Sequence, residues 1–385
     1  MSLLSKINSF SPGSRILSLC NSFADSYLNK VKDVPPYVAS TTATDLHKKL
    51  TVIDLHADTL MWERDLLRRT RHGHVDLPRL IDGNVCLQVF SVVTGIPFSP
   101  GLEGNKDEKD VIKLIARLQG WPTMTQTSRL QRALYQAEKL TNYIHSSDGK
   151  LKWITNRYEL QALLDDRAQG KKTIGALLSL EGVHALEGKV DNIEKLFQAG
   201  FRMLGMAHFF DNAMAGSIHG ANKHGLTEQG RQLVHRAAEL GMIIDLSHAS
   251  AQTIDDVISI TDTPVVASHG GVYGTCKTAR NLEDRHIQAI ARTGGVIGIG
   301  VFKYATCGDT IDDTVRAMCY VSDLVGDEHI ALGSDFDGSV TTLFDTSGWV
   351  KLTEALLNAG FSEQRIRAIM GENARRVFQQ ILPVE

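Results

Sequence analysis

The chain has no CxxC pair, and its 385 residues include only five cysteines, scattered at Cys20, Cys86, Cys276, Cys307 and Cys319. That spacing excludes a thiolate zinc knuckle, and the odd, dispersed set predicts reduced thiols in place of a paired disulfide framework. Long apolar runs are missing as well. The opening stretch MSLLSKINSFSPGSRILSLCNSF has no uninterrupted hydrophobic core of signal-peptide length, and the closing QQILPVE lacks the tail of a lipid-anchored precursor. Both absences lead us to expect a soluble, cytoplasmic protein with no membrane anchor. Charge of one sign is scarce too: a formal net charge of -3 gives no reason to expect nucleic acid or an anionic membrane as partner. Repeats and low-complexity segments are absent, and GVIGIG lacks the GxGxxG turn of a nucleotide loop.

What is present is ordinary globular material, 43% hydrophobic and 22% charged. Eight apolar runs stand out: TVIDLHAD from Thr51, VCLQVFSVV from Val85, TIGALLSLEG from Thr173, RMLGMAHF from Arg202, MIIDLSH from Met242, PVVASH from Pro264, GVIGIGVF from Gly295 and HIALGSD from His329. Helical patterns such as VDNIEKLFQAG, TEQGRQLVHRAAELG and TIDDTVRAMCYVSDLVG separate them, several ending in the glycine that helix C-termini favour. Strands alternating with helices pair in parallel, and eight units predict a closed (β/α)8 TIM barrel. Residues 1–45 read as a helical N-terminal extension and residues 46–385 as the barrel domain. The connection after the second run, roughly 95–172, is too long for a simple crossover and reads as a helical insertion over the barrel mouth, while the last ~40 residues supply closing helices.

The runs end in charge. In VIDLHAD the period of two puts Asp54, His56 and Asp58 on one side of the strand, opposite Ile53 and Leu55. The third run ends in Glu181, the fourth in His208, the fifth in His248, the sixth in His269 and the eighth in Asp335. In a barrel all strand C-termini meet on one face, the face that carries the active site. Isolated buried charges are costly, so such a cluster calls for a metal ion. Imidazoles and carboxylates without thiolates point to zinc, and a set larger than one ion needs points to two, spaced roughly 3.5 Å apart and sharing a carboxylate. Asp54 is expected to be a hydrogen-bonded supporting group, Asp245 and Asp337 to be structural, and His72, His74, His219, His224 and His235 to be solvated in loops or on helices.

VIDLHADTL, LSLEGVHAL, RMLGMAHFFDNAMAGS, GMIIDLSHAS, PVVASHGGVYGTCKTARNL and HIALGSDFDG together resemble the membrane dipeptidase (renal dipeptidase) family of zinc peptidases, its bacterial branch in particular. The resemblance spans roughly residues 50–380 in the family's order. It implies a binuclear zinc barrel that hydrolyses dipeptides and assembles as a homodimer. It places one ion on His56 and Asp58, the other on His248 and His269, and Glu181 between them. His208 falls on the family's substrate-polarising histidine, Arg280 on its carboxylate-binding arginine and Asp335 on its acid/base aspartate.

The chemistry of these groups agrees with that reading. An aspartate beside an activated water can take its proton and pass it to the leaving amine, a histidine can donate to a developing oxyanion, and a forked guanidinium can grip a free C-terminal carboxylate. Two alternatives stand beside it. Another binuclear-metal barrel hydrolase could act on lactones, cyclic amides or phosphotriesters, though RMLGMAHF offers no lysine to bridge ions. A non-catalytic binding barrel would have no reason to keep every charged group.

Overall fold

The structure is a computed structural model and describes residues 22–108 and 110–384; the first part of the expected N-terminal extension lies outside the described residues. All eight expected strands form: β1 (Val52–Ala57), β2 (Val85–Val93), β4 (Ile174–Glu181), β5 (Phe201–Gly205), β6 (Ile243–Asp245), β7 (Val266–Ala267), β8 (Val296–Ile299) and β9 (Ile330–Leu332). Every pairing is parallel, in the order β2-β1-β9-β8-β7-β6-β5-β4, and the β2–β4 pairing closes the barrel. A ninth strand, β3 (Leu151–Trp153), was not expected. It adds to β4 at the end of the insertion, where only three residues of one short run, LKW, signal it.

The intervening helices follow their sequence signals. Thr227, Ser250 and Thr310 each cap a helix by accepting from the backbone N–H three residues on, and at Thr310 Asp313 returns the bond. Within the insertion, helices Val111–Leu118 and Arg129–Ser146 are present, and the segment leading into them reaches back to residues 219 and 220 above the strand ends.

Paired residues in parallel strands share a face, so the register shows which residues line the barrel. Glu181 lies on the face of Leu177 and, through Leu87↔Gly175 and Ile53↔Leu87, on the face of Ile53. Ile53, Leu87, Leu177, Met203, Ile243, Val266, Val296 and Ala331, one from each strand, form a single apolar cluster with Ala374, Val377 and Phe378 of the last helix. This corrects the period-two reading of β1: Asp54 pairs with Gln88 on the opposite face, and a register irregularity between Asp54 and Ala57 brings His56 round to the side of Glu181. Asp54 is fully buried and accepts from Gln88 Nε2 at 2.9 Å and from Ser334 N at 2.9 Å. It ties β1 to the strand end that leads to Asp335.

Residues 22–33 lie against the loop after β9. Lys32 N donates to Thr342 O at 3.0 Å, Thr342 N to Lys30 O at 2.9 Å, and Ser339 N to Asn29 Oδ1 at 2.9 Å. Beneath them, buried Arg64 bridges two buried carboxylates, Asp25 at 2.8 Å and Asp337 at 2.7 Å. Asp337 also accepts from Thr59 Oγ1 and from the His74 backbone N–H. His74, expected in solvent, is completely buried, its ring held between Asp337 N and Lys30 O. Cys276 and Cys307 form a disulfide, which corrects the reduced-thiol expectation for those two and joins the loops after β7 and β8. Their 31-residue separation hid a proximity that the barrel creates.

Candidate metal centre and active site

Six strand ends deliver the expected side chains to one place. Glu181 Oε1 lies 3.6 Å from His56 Nε2, 3.4 Å from His208 Nε2, 3.1 Å from His248 Nε2 and 3.5 Å from His269 Nε2. Asp58 Oδ1 is 3.5 Å from His56 Nε2, and His56, Asp58 and Asp335 offer a further three-ligand group. Arg280 adjoins them, its Nη2 donating to His269 O at 2.8 Å. His248 (φ 63°) and Asp335 (φ 59°) hold their side chains from the left-handed backbone region, a conformation that costs non-glycine residues and recurs at functional sites. Gly338 lies tight beside them: a Cβ there would come within 2.8 Å of Asp58 Oδ2 and closer still to Asp335 Oδ1, so these carboxylates would have to move.

The electrostatics of the cluster are unfavourable in the absence of cations. Burial and the neighbouring Asp58 push the Glu181 carboxyl well above its ordinary range. Burial likewise raises Asp335, which Asp58 reinforces and His56 opposes, to about 7. For His56, burial works against protonation, but Asp58, Glu181 and Asp335 override it and raise the ring to about 10. Burial, helped by the Arg280 guanidinium, drives His248 well below its usual value; His269 is lowered by burial and by His56. Buried His56 Nε2 and Asp58 Oδ1 have no hydrogen-bond partner among the described residues. Imidazole nitrogens and carboxylate oxygens converging this closely, with His248 Nε2 and His269 Nε2 2.9 Å apart, form a ligand set that fits divalent cations.

The sequence profile of the membrane dipeptidase family, peptidase family M19, matches residues 40–385. The chain belongs to this family. Membership makes it a metal-dependent dipeptidase, a hydrolase of peptide bonds. It is 29% identical over 323 residues to dipeptidase tcpJ of Claviceps purpurea, covering 80% of this chain and 69% of that protein. Dipeptidase aclJ of Aspergillus oryzae is 28% identical over 364 residues, 86% and 78% of the two chains. Among solved structures, the probable dipeptidase PvdM from Pseudomonas aeruginosa superposes with a TM-score of 0.74 at 20% identity, over 89% of this chain and 98% of that one. A metallopeptidase from Rhodobacter sphaeroides, liganded with a phosphinate mimic of L-Ala-D-Ala, gives 0.69 at 22% identity over 86% and 99%. These structures share the barrel of the membrane dipeptidase family.

Two residues near the centre escaped sequence reasoning. His219, expected in solvent, is buried, with Nε2 3.0 Å from His248 Nδ1 and Nδ1 2.8 Å from Leu102 O; burial, with Arg280 adding to it, lowers its pKa to about 4. His184 in EGVHAL is also buried, its Nε2 3.0 Å from Thr94 Oγ1, and burial holds its pKa down to about 3. His72, His224 and His235 stay at least partly exposed, and no helix among the described residues is long and apolar enough to cross a membrane.

Proposed function

We propose that the chain hydrolyses dipeptides at two zinc ions, one held by His56 and Asp58, the other by His248 and His269, with Glu181 shared. The observation that carries this is the convergence of imidazole Nε2 atoms on the single oxygen Glu181 Oε1, which supports a carboxylate placed to serve two ions. Zinc bound there would supply Lewis acidity toward the scissile carbonyl and lower the pKa of an attacking water.

The remaining roles fall to side chains. Asp335, partly exposed beside His56 and Asp58 and poised near neutrality, accepts the proton of the attacking water and returns it to the leaving amine. His208 is as near Glu181 as the others, yet we assign it to the substrate. His248 Nδ1 is tied to His219 and His269 Nδ1 to Ser268 Oγ, as rings oriented for metal usually are, whereas His208 Nδ1 is buried without a partner among the described residues. Its ring can therefore turn toward a carbonyl oxygen. Arg280 keeps one nitrogen on His269 O and offers its other N–H donors to the substrate's C-terminal carboxylate.

We also propose a homodimer, following the family resemblance. As to location, the Cys276–Cys307 disulfide supports an oxidising compartment over the cytoplasm. Elemental analysis of undialysed protein tests the centre: close to two zinc ions per chain are expected, with dipeptide hydrolysis lost on chelation and regained with zinc. Protein that carries no transition metal and gains no activity on adding zinc would sink the proposal.

A further inference from the structure

Two buried rings form a chain of hydrogen bonds that ends at the metal centre. Leu102 O is a carbonyl and can only accept, so His219 Nδ1, 2.8 Å away, carries a hydrogen and donates it. A neutral His219 then has a bare Nε2. That nitrogen lies 3.0 Å from His248 Nδ1, which must in turn be the donor. A neutral His248 is left with a bare Nε2, facing Glu181 Oε1 at 3.1 Å and His269 Nε2 at 2.9 Å. Each bond fixes the next. The opposite set of tautomers would press a bare Nδ1 against a carbonyl in a buried site and turn an N–H of His248 toward the place where a cation must sit.

The chain begins outside the barrel. Leu102 belongs to the segment that enters the insertion, and the same segment grips residue 219 a second time, Asn105 N donating to His219 O at 2.9 Å. Nearby, Lys223 pairs with Glu103 at 2.8 Å. The ring of His219 is held between Phe209, 5.2 Å away, and His248, 5.1 Å away, measured between ring centres.

We propose that His219 is a positioning residue for the metal centre, fixing His248 in the tautomer that presents Nε2 to the ion and making that choice depend on the insertion segment around Leu102. This rests on the reading of His248 as a metal ligand. Groups hydrogen-bonded to a ligating imidazole set its orientation and basicity, and losing one typically costs ~10- to 100-fold in metal affinity.

His219→Phe keeps a ring of similar size and removes both hydrogen bonds, whereas His219→Gln keeps an oxygen to accept from His248 and an amide N–H to donate to Leu102. Competition between a chelator and the protein for Zn²⁺ should show His219→Phe binding one of two ions ~10- to 100-fold more weakly, with His219→Gln retaining most of the affinity. Above neutral pH the metal-free proteins should unfold alike. Zinc affinity unchanged in His219→Phe would overturn the proposal, as would equal losses in both variants, which would mean packing in place of tautomer control. Nitrogen-15 histidine spectra of metal-free wild type read the tautomers with no substitution: hydrogen on Nδ1 of both rings is expected, and hydrogen on His219 Nε2 would overturn it. Wild type that takes up no zinc would remove the metal reading itself; normal zinc uptake with indifferent variants would remove only this inference.

Discussion

The two halves of the centre are built differently. On the β6–β7 side every ring has a second anchor: His248 leans on His219, His269 on Ser268, and Ser268 Oγ in turn donates to Asp245 at 2.6 Å. On the β1 side His56 Nε2 and Asp58 Oδ1 are buried and unpartnered among the described residues, and the nearest support for His56 Nδ1 is Ser268 Oγ at 3.4 Å. Protonation divides the same way, with His56 raised to about 10 and the rings of the other side lowered. One half has its rings hydrogen-bonded from behind and their pKa values lowered by burial; the other has fewer supporting bonds and a histidine drawn toward its protonated form by three carboxylates. Hydrogen-bond support and positive charge thus fall on opposite sides of a single site, with Glu181 between them.

The largest effect should come from removing what the halves share. Glu181→Gln should lose both metal and turnover, checked by elemental analysis beside a dipeptide assay; a variant that kept two ions would deny that Glu181 joins them. Next is Asp335, beside His56 and Asp58 but assigned to proton transfer. Asp335→Asn keeps the shape and loses the base, so kcat should fall by ~10²- to 10⁴-fold while zinc content and Tm stay near wild type. Recovery of this variant with one ion or none would make Asp335 a ligand and pass proton transfer to His208.

Arg280 sits on the braced side. Arg280→Ala should cost about 2 to 5 kcal/mol in kcat/KM for free dipeptides, because a charged carboxylate loses its partner, and far less for C-terminally amidated ones. Equal losses on both would remove Arg280 from the carboxylate pocket. The smallest effect is on the stability of metal-free protein. His219, lowered to about 4, contributes stability that is present above the unfolded value near 6.5 and lost as pH falls from there toward 4. His56, raised to about 10, contributes stability that is present below about 6.5 and lost as pH climbs toward 10. Urea midpoints of chelator-treated protein should therefore fall on both sides of neutrality, with His219→Gln flattening the acid limb and His56→Gln the alkaline one.

The barrel and the cluster were legible in the sequence for one physical reason: a parallel strand is a continuous apolar run, so a charged residue at its end is conspicuous, and the fold sends every such end to one face. That logic named His56, Asp58, Glu181, His208, His248, His269 and Asp335, and the structure brings all seven together. It failed where a residue's surroundings come from distant chain. His219 and His74 lie in polar loop sequence and look solvated until the insertion and the N-terminal segment cover them. Cys276 and Cys307 meet only because β7 and β8 are neighbours. The side taken by Asp54 was lost to a register irregularity, which strict alternation cannot foresee.

The Asp25–Arg64–Asp337 bridge bears on where this protein is best cut for expression. The family profile begins at residue 40, which makes that position an inviting start for a shortened clone. Such a clone would discard Asp25 and leave Arg64, buried and cationic, with Asp337 alone at 2.7 Å. It would also strip Asn29, Lys30 and Lys32 from the loop that begins at Asp335. Arg64 would keep one carboxylate partner, so the loss is that of the second carboxylate and of the backbone bonds that come with it. Buried contacts thus begin upstream of the stretch that sequence similarity outlines, and a cloning boundary should follow the buried charges.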